Sequence, residues 1–363
     1  MMQFEFEKAI QYVEANLEND LTLNDVAQQC NYSPYHFSVL FHQYFGETMK
    51  SYIKKRRLTR AAEHLKHTET TILHIAVKYG YSSQEAFSRA FTDLFGITPH
   101  KYRQTQVPIQ ETNQKTSPQW YEKGSETMND TIKLLQEKIE AKAKYPVNIL
   151  HILNGSHMLN KFKTHKLMNS KATYVSFNEA MCWGEADPQI FSQSFIEKRA
   201  TSLRTTEEGY RGNVIEALKP LFEEKFEIIV LWFGDDMFCQ MNLITIAAYL
   251  EQIGYNGDVL FCMALERTDE MLDEAYELDI SGYLEVYKAA IVNRQKPASQ
   301  MMPVTYQAIN MYLTYREEKS PIVKYIRGHA GDENLINSLL KRFPEYGLGD
   351  LQYHWMIQEH QSL

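Results

Sequence analysis

Cysteine is scarce. Four cysteines stand in 363 residues, at positions 30, 182, 239 and 262, and their spacing matches neither a zinc site nor a disulfide framework. A reducing cytoplasm is the expected compartment. Long apolar runs are missing as well. No stretch of eighteen apolar residues occurs, so no membrane span is expected. The opening segment MMQFEFEKAIQYVEANL lacks the basic start and apolar run of a secretory signal. Glycine-rich phosphate loops, a nucleophile elbow and His-Glu zinc spacing are all absent. These absences point away from enzyme chemistry: no catalytic residue, metal or cofactor is expected. What remains is a chain with 44% hydrophobic residues and a net charge of −8, long enough for two or three domains with full cores.

What is present is a sequence written twice. Phe37-Ser38, Phe41, Phe45-Gly46, Thr48 and Tyr52 recur fifty positions later as Phe87-Ser88, Phe91, Phe95-Gly96, Thr98 and Tyr102. Ala27, Tyr32 and Ser33 recur forty-nine positions later as Ala76, Tyr81 and Ser82. A repeat in register, with one slip, means two copies of one structural unit.

Each copy has the grammar of two short helices and a tight turn. In the first, Leu23, Val26 and Ala27 make one apolar face, with Thr22 or Asn24 as N-cap. Asn31 tolerates a left-handed turn. Ser33-Pro34 then starts a second helix, with Ser as cap and Pro at the first helical position, ending at Gly46. Phe37, Leu40, Phe41 and Tyr44 face inward; Tyr35, Ser38, Val39 and His42 face outward. In the second copy Ser82 or Ser83 caps a helix ending at Gly96. Phe87, Ala90, Phe91 and Leu94 face in, and Gln84, Glu85, Ser88, Arg89 and Thr92 face out. Such a unit is a helix-turn-helix, and its second helix suits a major groove. The aromatics are core, not base stackers.

Between the copies, Ile53, Arg57, Leu58, Ala61 and Leu65 repeat at helical spacing. This connecting helix carries Lys54, Lys55, Arg56, Arg57 and Arg60, a concentration that suits phosphate contact. Charge also separates the halves. Residues 1–104 carry 12 Lys+Arg and 11 Asp+Glu, and the remainder carries 26 and 35. The acidic remainder is repelled by phosphate, so it is not expected to bind DNA.

Residues 5–105 resemble the DNA-binding domain of the AraC/XylS family of bacterial transcription regulators. The resemblance rests on the LTLNDVA helix, the Tyr32-Ser33 to Phe45-Gly46 segment, the Tyr52 to Leu65 helix, YSSQEAFSRAF, and FGITPHKYR at Phe95 to Arg103. It implies base-reading positions at Tyr35, Ser38 and Val39 in the first unit, and at Gln84, Glu85 and Arg89 in the second. Ser38 and Val39 are shorter than the polar side chains common at those positions in the family. Gln84 and Arg89 suit bidentate contacts to adenine and guanine. The second unit is therefore expected to carry more of the direct readout, and the first to position the protein on phosphate.

The rest of the chain reads differently. Residues 106–128 are polar, with little periodicity, and are expected to be a linker. A helix from Asp130 to Lys144 follows. Four apolar runs, Val147–Leu153, Ala172–Phe177, Glu227–Phe233 and Asp258–Leu265, are expected strands separated by helices. They imply a mostly parallel sheet with helices on both faces over 129–297. Ligands of such sheets sit outside the C-terminal strand ends. Asn154, Ser156, Glu179, Asp235, Asp236 and Gln240 lie at such ends and are candidate ligand contacts. The plainer reading of Asp235 or Asp236 is a helix N-cap, and of Gly155 a turn. Residues 298–363 are expected to form a helical subdomain. The run Leu231-Trp232-Phe233 with Asp236 and Gln240, together with Asn154-Gly155, resembles an uncharacterised bacterial domain family, which implies no activity.

The fold expected is thus multidomain: an all-α double helix-turn-helix domain at 1–105, an α/β domain, and a helical end. The function expected is a sequence-specific regulator with double-stranded DNA as partner. A small-molecule effector, RNA polymerase and a second copy of the chain are further candidate partners. The alternative is a regulator fused to an α/β enzyme acting on a small molecule or nucleotide.

Overall fold

The computed structural model describes residues 2–45, 47–105, 107–110, 124–142, 148–265 and 270–361. The chain divides into two compact units. The first comprises Met1–Pro118, Met302–Gln307 and Thr314–Leu363; the second comprises Gln119–Met301 and Ala308–Leu313. The division does not follow chain order: most of the C-terminal helices group with the N-terminal residues rather than standing alone.

The first unit opens with α1 (Met2–Ala15), α2 (Leu23–Gln29), α3 (Pro34–Phe45), α4 (Met49–His67), α5 (Ile72–Lys78), α6 (Gln84–Phe95) and α7 (Pro99–Thr105). The starts follow local chemistry. Thr22 caps α2 in a reciprocal box with Asp25, Thr48 caps α4, Thr71 caps α5 and Ser83 caps α6. Each satisfies an amide that would otherwise lack a partner. Asn31 adopts φ 57° between α2 and α3, as Gly80 adopts φ 80° between α5 and α6. Gly96 ends α6 in the left-handed conformation. The equivalent Gly46, and the side chain of Tyr44, lie outside the described residues.

The repeat is also a repeat of packing. Phe37 and Phe41 lie 5.5 Å apart, and Phe87 and Phe91 5.6 Å apart. Phe41 meets Tyr52 at 5.7 Å, as Phe91 meets Tyr102 at 5.6 Å. All four phenylalanines are fully buried, each contributing about 1.5–3 kcal/mol by removal from water. Helix α4 serves both cores. Tyr52 and Ile53 join one with Ala9, Val13, Phe37 and Phe41. Leu58, Ala61, Ala62 and Leu65 join the other with Ile75, Phe87 and Phe91. The unit is completed by α16 (Pro321–Gly328), α17 (Leu335–Arg342) and α18 (Asp350–Gln361). The start of α15 (Pro303–Thr314) also belongs to it, while Ala308–Leu313 of that helix group with the second unit.

The second unit is built on a five-stranded sheet, β1 (Ile149–Leu153), β2 (Thr173–Ser176), β3 (Ile228–Phe233), β4 (Asp258–Leu265) and β5 (Glu270–Glu277), in the order β2-β1-β3-β4-β5. The first four run parallel and β5 is antiparallel to β4. The helices of this unit are α8 (Gly124–Lys142), α9 (Gly155–Thr164), α10 (Gln193–Ser202), α11 (Glu207–Tyr210), α12 (Lys219–Glu223), α13 (Met237–Gln252) and α14 (Tyr283–Tyr287). Ile149, Leu153, Val230, Trp232, Leu260 and Cys262 face Ile132, Leu135 and Ile139 of α8 and Met158 and Phe162 of α9. The alternate strand residues, such as Leu150, Ile229, Leu231 and Phe261, are buried as well. A sheet covered on both faces needs the continuous apolar strands seen here.

His151 is the polar exception inside β1. Its Nδ1 accepts from Trp232 Nε1 at 2.9 Å, and its ring stacks on Tyr174 at 4.4 Å. Burial pushes its pKa down from 6.5 to about 3. The unfolded chain protonates it near 6.5, so its neutral, folded form is fully favoured above that pH and penalised as the pH falls toward 3. The slope is about 1.4 kcal/mol per pH unit. Urea melts at pH 7, 6 and 5 should show that loss, and His151→Gln should flatten it whatever its effect on stability at pH 7.

Candidate nucleic-acid interface

The expected base-reading positions lie on the exposed faces of α3 and α6. On α3, Tyr35 is 82% exposed and Val39 38% exposed, with Ser38 exposed between them. Their i, i+3, i+4 spacing places them on one side of the helix, opposite the buried Phe37 and Phe41. On α6, Gln84, Glu85 and Arg89 are exposed, opposite Phe87, Ala90, Phe91 and Phe95. Glu85 sits in the first turn. Its backbone amide, the Ser83 hydroxyl and the Arg89 charge hold its carboxyl below the ordinary range. Glu85 therefore presents an ionised carboxylate, which only accepts hydrogen bonds.

The basic run on α4 corrects the expectation of a phosphate-binding strip. Arg56 is buried, 1% exposed, and forks onto Glu14 of α1, Nε to Oε1 at 2.6 Å and Nη2 to Oε2 at 2.8 Å. Burial works against its charge, but Glu14 outweighs it and raises its pKa. Arg57 donates to the carbonyls of Leu17 at 2.8 Å and Asn19 at 2.6 Å. Lys55 pairs with Glu47 at 3.0 Å, and Arg60 with Glu63 at 3.0 Å and Glu14 at 3.6 Å. Lys54 alone of the five is exposed. The reason is geometric: at 3.6 residues per turn, Arg56 falls on the same face as Tyr52 and Thr59, which is the packed one.

Sequence reasoning passed over the first turns of α4 and α7. Thr48 and Thr98 are paired by the fifty-residue offset, and each accepts from a backbone amide three residues on. Lys50, His100 and Lys101 are exposed there. The recurring threonine was the available signal.

This geometry meets a direct comparison. A helix-turn-helix domain family matches residues 26–105. The Transposon Tn10 TetD protein of Escherichia coli is 44% identical over 96 residues, which are 26% of this chain and 70% of that protein. The multiple antibiotic resistance protein MarA of Escherichia coli K12 is 36% identical over 98 residues, 27% of this chain and 77% of MarA. The chain belongs to the AraC/XylS family. Among solved structures, a transcriptional regulator with an AraC-type DNA-binding domain from Chromobacterium violaceum is 32% identical. It covers 29% of this chain and 94% of its own, at a TM-score of 0.28. The AraC/XylS match accounts for the double helix-turn-helix, and each of these matches spans under a third of the chain.

The six candidate contacts of the second unit divide sharply. Strand order reverses between β1 and β3, the crevice position in such sheets. Asn154 follows β1; its amide donates to Cys239 Sγ at 2.8 Å and accepts from Asn242 at 2.9 Å. Asp236 follows β3 and caps α13 through the amide of Cys239 at 2.8 Å. Those two converge on Cys239. Ser156 is exposed, whereas Asp235 and Gln240 are buried, and Gln240 donates to the carbonyl of Gly234 at 2.6 Å. Glu179 is fully buried against Arg199 at 2.8 Å and accepts from Tyr210. Glu179 is thereby committed to the protein's interior and is withdrawn as a ligand contact, as is Gln240. Burial pushes the Cys182 thiol up to about 12, which makes it a poor nucleophile. Among the described residues, no group of three or more His, Cys, Asp or Glu could hold a metal, and no helix is long and apolar enough to cross a membrane.

Proposed function

We propose that this AraC/XylS regulator binds an asymmetric double-stranded site, with α3 and α6 in successive major grooves about 34 Å apart. One observation carries the reading: the two units share their buried aromatics position for position, yet expose different faces. Tyr35, Ser38 and Val39 offer aromatic, hydroxyl and methyl contacts. Gln84 and Arg89 can fork onto adenine and guanine, and Glu85 can accept from cytosine. Lys54, Lys50 and Lys101 supply phosphate contacts, which place the protein without reading sequence. Lys55 and Arg60 contribute only if they exchange their acidic partners for phosphate.

We assign the second unit a sensing or dimerising role, with the region around the half-buried Asn154 and Asp236 and the exposed Ser156 as its candidate contact region. The doubly wound sheet and the strand reversal beside Asn154 support this. A gel shift of the full chain on DNA upstream of its own coding sequence, at rising salt, tests the DNA-binding reading. A sequence-specific complex that weakens steeply with salt is expected. Failure to form one at low salt would count against it.

A further inference from the structure

The second recognition helix is braced by a residue more than two hundred positions away. The ring of Tyr306 stands where a Cβ on Gly96, the left-handed cap of α6, would point. A Cβ placed on Gly96 would lie 2.5 Å from Tyr306 Cγ and 2.8 Å from Cδ1 and Cδ2. Glycine is thus required there twice, once by its φ of +70° and once by the ring on its open face. The turn Gly96–Thr98 sets the angle between α6 and α7. The ring therefore rests on the joint that aims Gln84, Glu85 and Arg89.

Tyr306 is itself held in place. The Val304 amide donates to the carbonyl of Pro108 at 3.2 Å. The Gln307 side chain accepts from the Gln110 amide at 2.8 Å and donates to the Gln110 carbonyl at 3.3 Å. The Gln110 side chain donates to the carbonyl of Glu345 at 3.2 Å. Gln110 and Gln307 are both buried, where an amide pair satisfied in this way is well fixed. The start of α15 is thereby tied to the segment that directly follows α7.

We propose that Tyr306 is a positioning residue for DNA reading, fixing the aim of α6 through Gly96. The inference rests on the DNA-reading role of α6. It makes that reading depend on residues 302–307, which stand in the chain between the two segments of the second unit.

The test uses the full chain carrying Tyr306→Ala or Tyr306→Phe, and a set of sites mutated in one groove segment at a time. Tyr306→Ala is expected to lose at least tenfold in discrimination within the segment read by α6, and to keep discrimination within the segment read by α3. Tyr306→Phe, which keeps the ring, should match wild type within about twofold. Equal loss over both segments, accompanied by a lower melting temperature, would reduce Tyr306 to general support and overturn the proposal. So would wild-type discrimination by Tyr306→Ala, or equal damage by Tyr306→Phe. If the wild-type chain forms no sequence-specific complex, the DNA-reading role fails instead, and the two failures are told apart.

Discussion

Arg199→Met should destabilise the second unit by about 3–5 kcal/mol, the usual cost of leaving one partner of a buried ion pair alone. Arg199 is fully buried on α10. Each of its five N–H groups has an acceptor. Nε meets Glu179 Oε2 at 3.3 Å, and Nη2 meets Glu179 Oε1 at 2.8 Å and the Ala180 carbonyl at 3.0 Å. Nη1 meets the carbonyls of Trp183 at 2.6 Å and Glu185 at 2.9 Å. Loss of this fork leaves a buried carboxylate and three carbonyls to be satisfied at once. The affected segment, between β2 and α10, has no helix or strand of its own to hold it. Urea melts should show the loss, and hydrogen exchange should localise it to residues 179–186. Adding Glu179→Gln should recover part of the stability, because the orphaned charge is then gone. A single variant of wild-type stability would contradict the account of this cluster.

The second large effect separates Arg56 from its neighbour Lys54. Arg56→Met should cost about 2–4 kcal/mol, below the full buried-pair figure because Arg60 lies 3.6 Å from the abandoned Glu14. Its salt dependence of DNA binding should not change. Lys54→Ala, at an exposed position, should leave stability within about 0.5 kcal/mol. It should lower the slope of log affinity against log salt by about one, the signature of one lost phosphate contact. Chemical melts and gel shifts at several salt concentrations check both variants. A stable Arg56→Met with a reduced salt slope would return Arg56 to the phosphate backbone.

These two residues show where the sequence was legible. The double helix-turn-helix could be read because its signal is the core itself: Phe37, Phe41, Phe87 and Phe91 recur at a fixed offset, and their burial is what makes the fold. Thr22, Ser83, Asn31 and Gly96 could be read because caps and left-handed turns are local chemistry. Composition alone could not say which way Arg56 pointed, since its partner Glu14 stands forty-two positions earlier. Phase along the helix was the available clue: Tyr52 and Arg56 share a face.

The second unit follows the same division. The four parallel strands lie in the mostly apolar runs of the sequence, β2 with Thr173 and Ser176 at its ends. Strand β5, Glu270–Glu277, is acidic and pairs antiparallel at the sheet edge, so hydrophobicity passed over it. Arg199 occupies a position on the apolar stripe of Phe195, Ile196 and Ala200, a buried cation whose meaning appears only once Glu179 is placed beside it. The grouping of the C-terminal helices with the N-terminal residues depends on contacts such as Gln110 to Gln307 and Gln110 to Glu345. These are 197 and 235 positions apart, beyond the reach of any local pattern.

In the proposed function, α3 and α6 are non-equivalent readers of one DNA site. This is tested most directly by measuring the affinity of the full chain, wild type and Arg89→Ala, for a site in which every base pair is changed in turn. Wild type should discriminate more strongly in the segment facing α6. Arg89→Ala should lose about 1–3 kcal/mol of discrimination at one base pair and keep its affinity for unrelated DNA. An equal loss on every sequence would place Arg89 on phosphate. A wild-type chain with no preference among sites would contradict the proposed function itself.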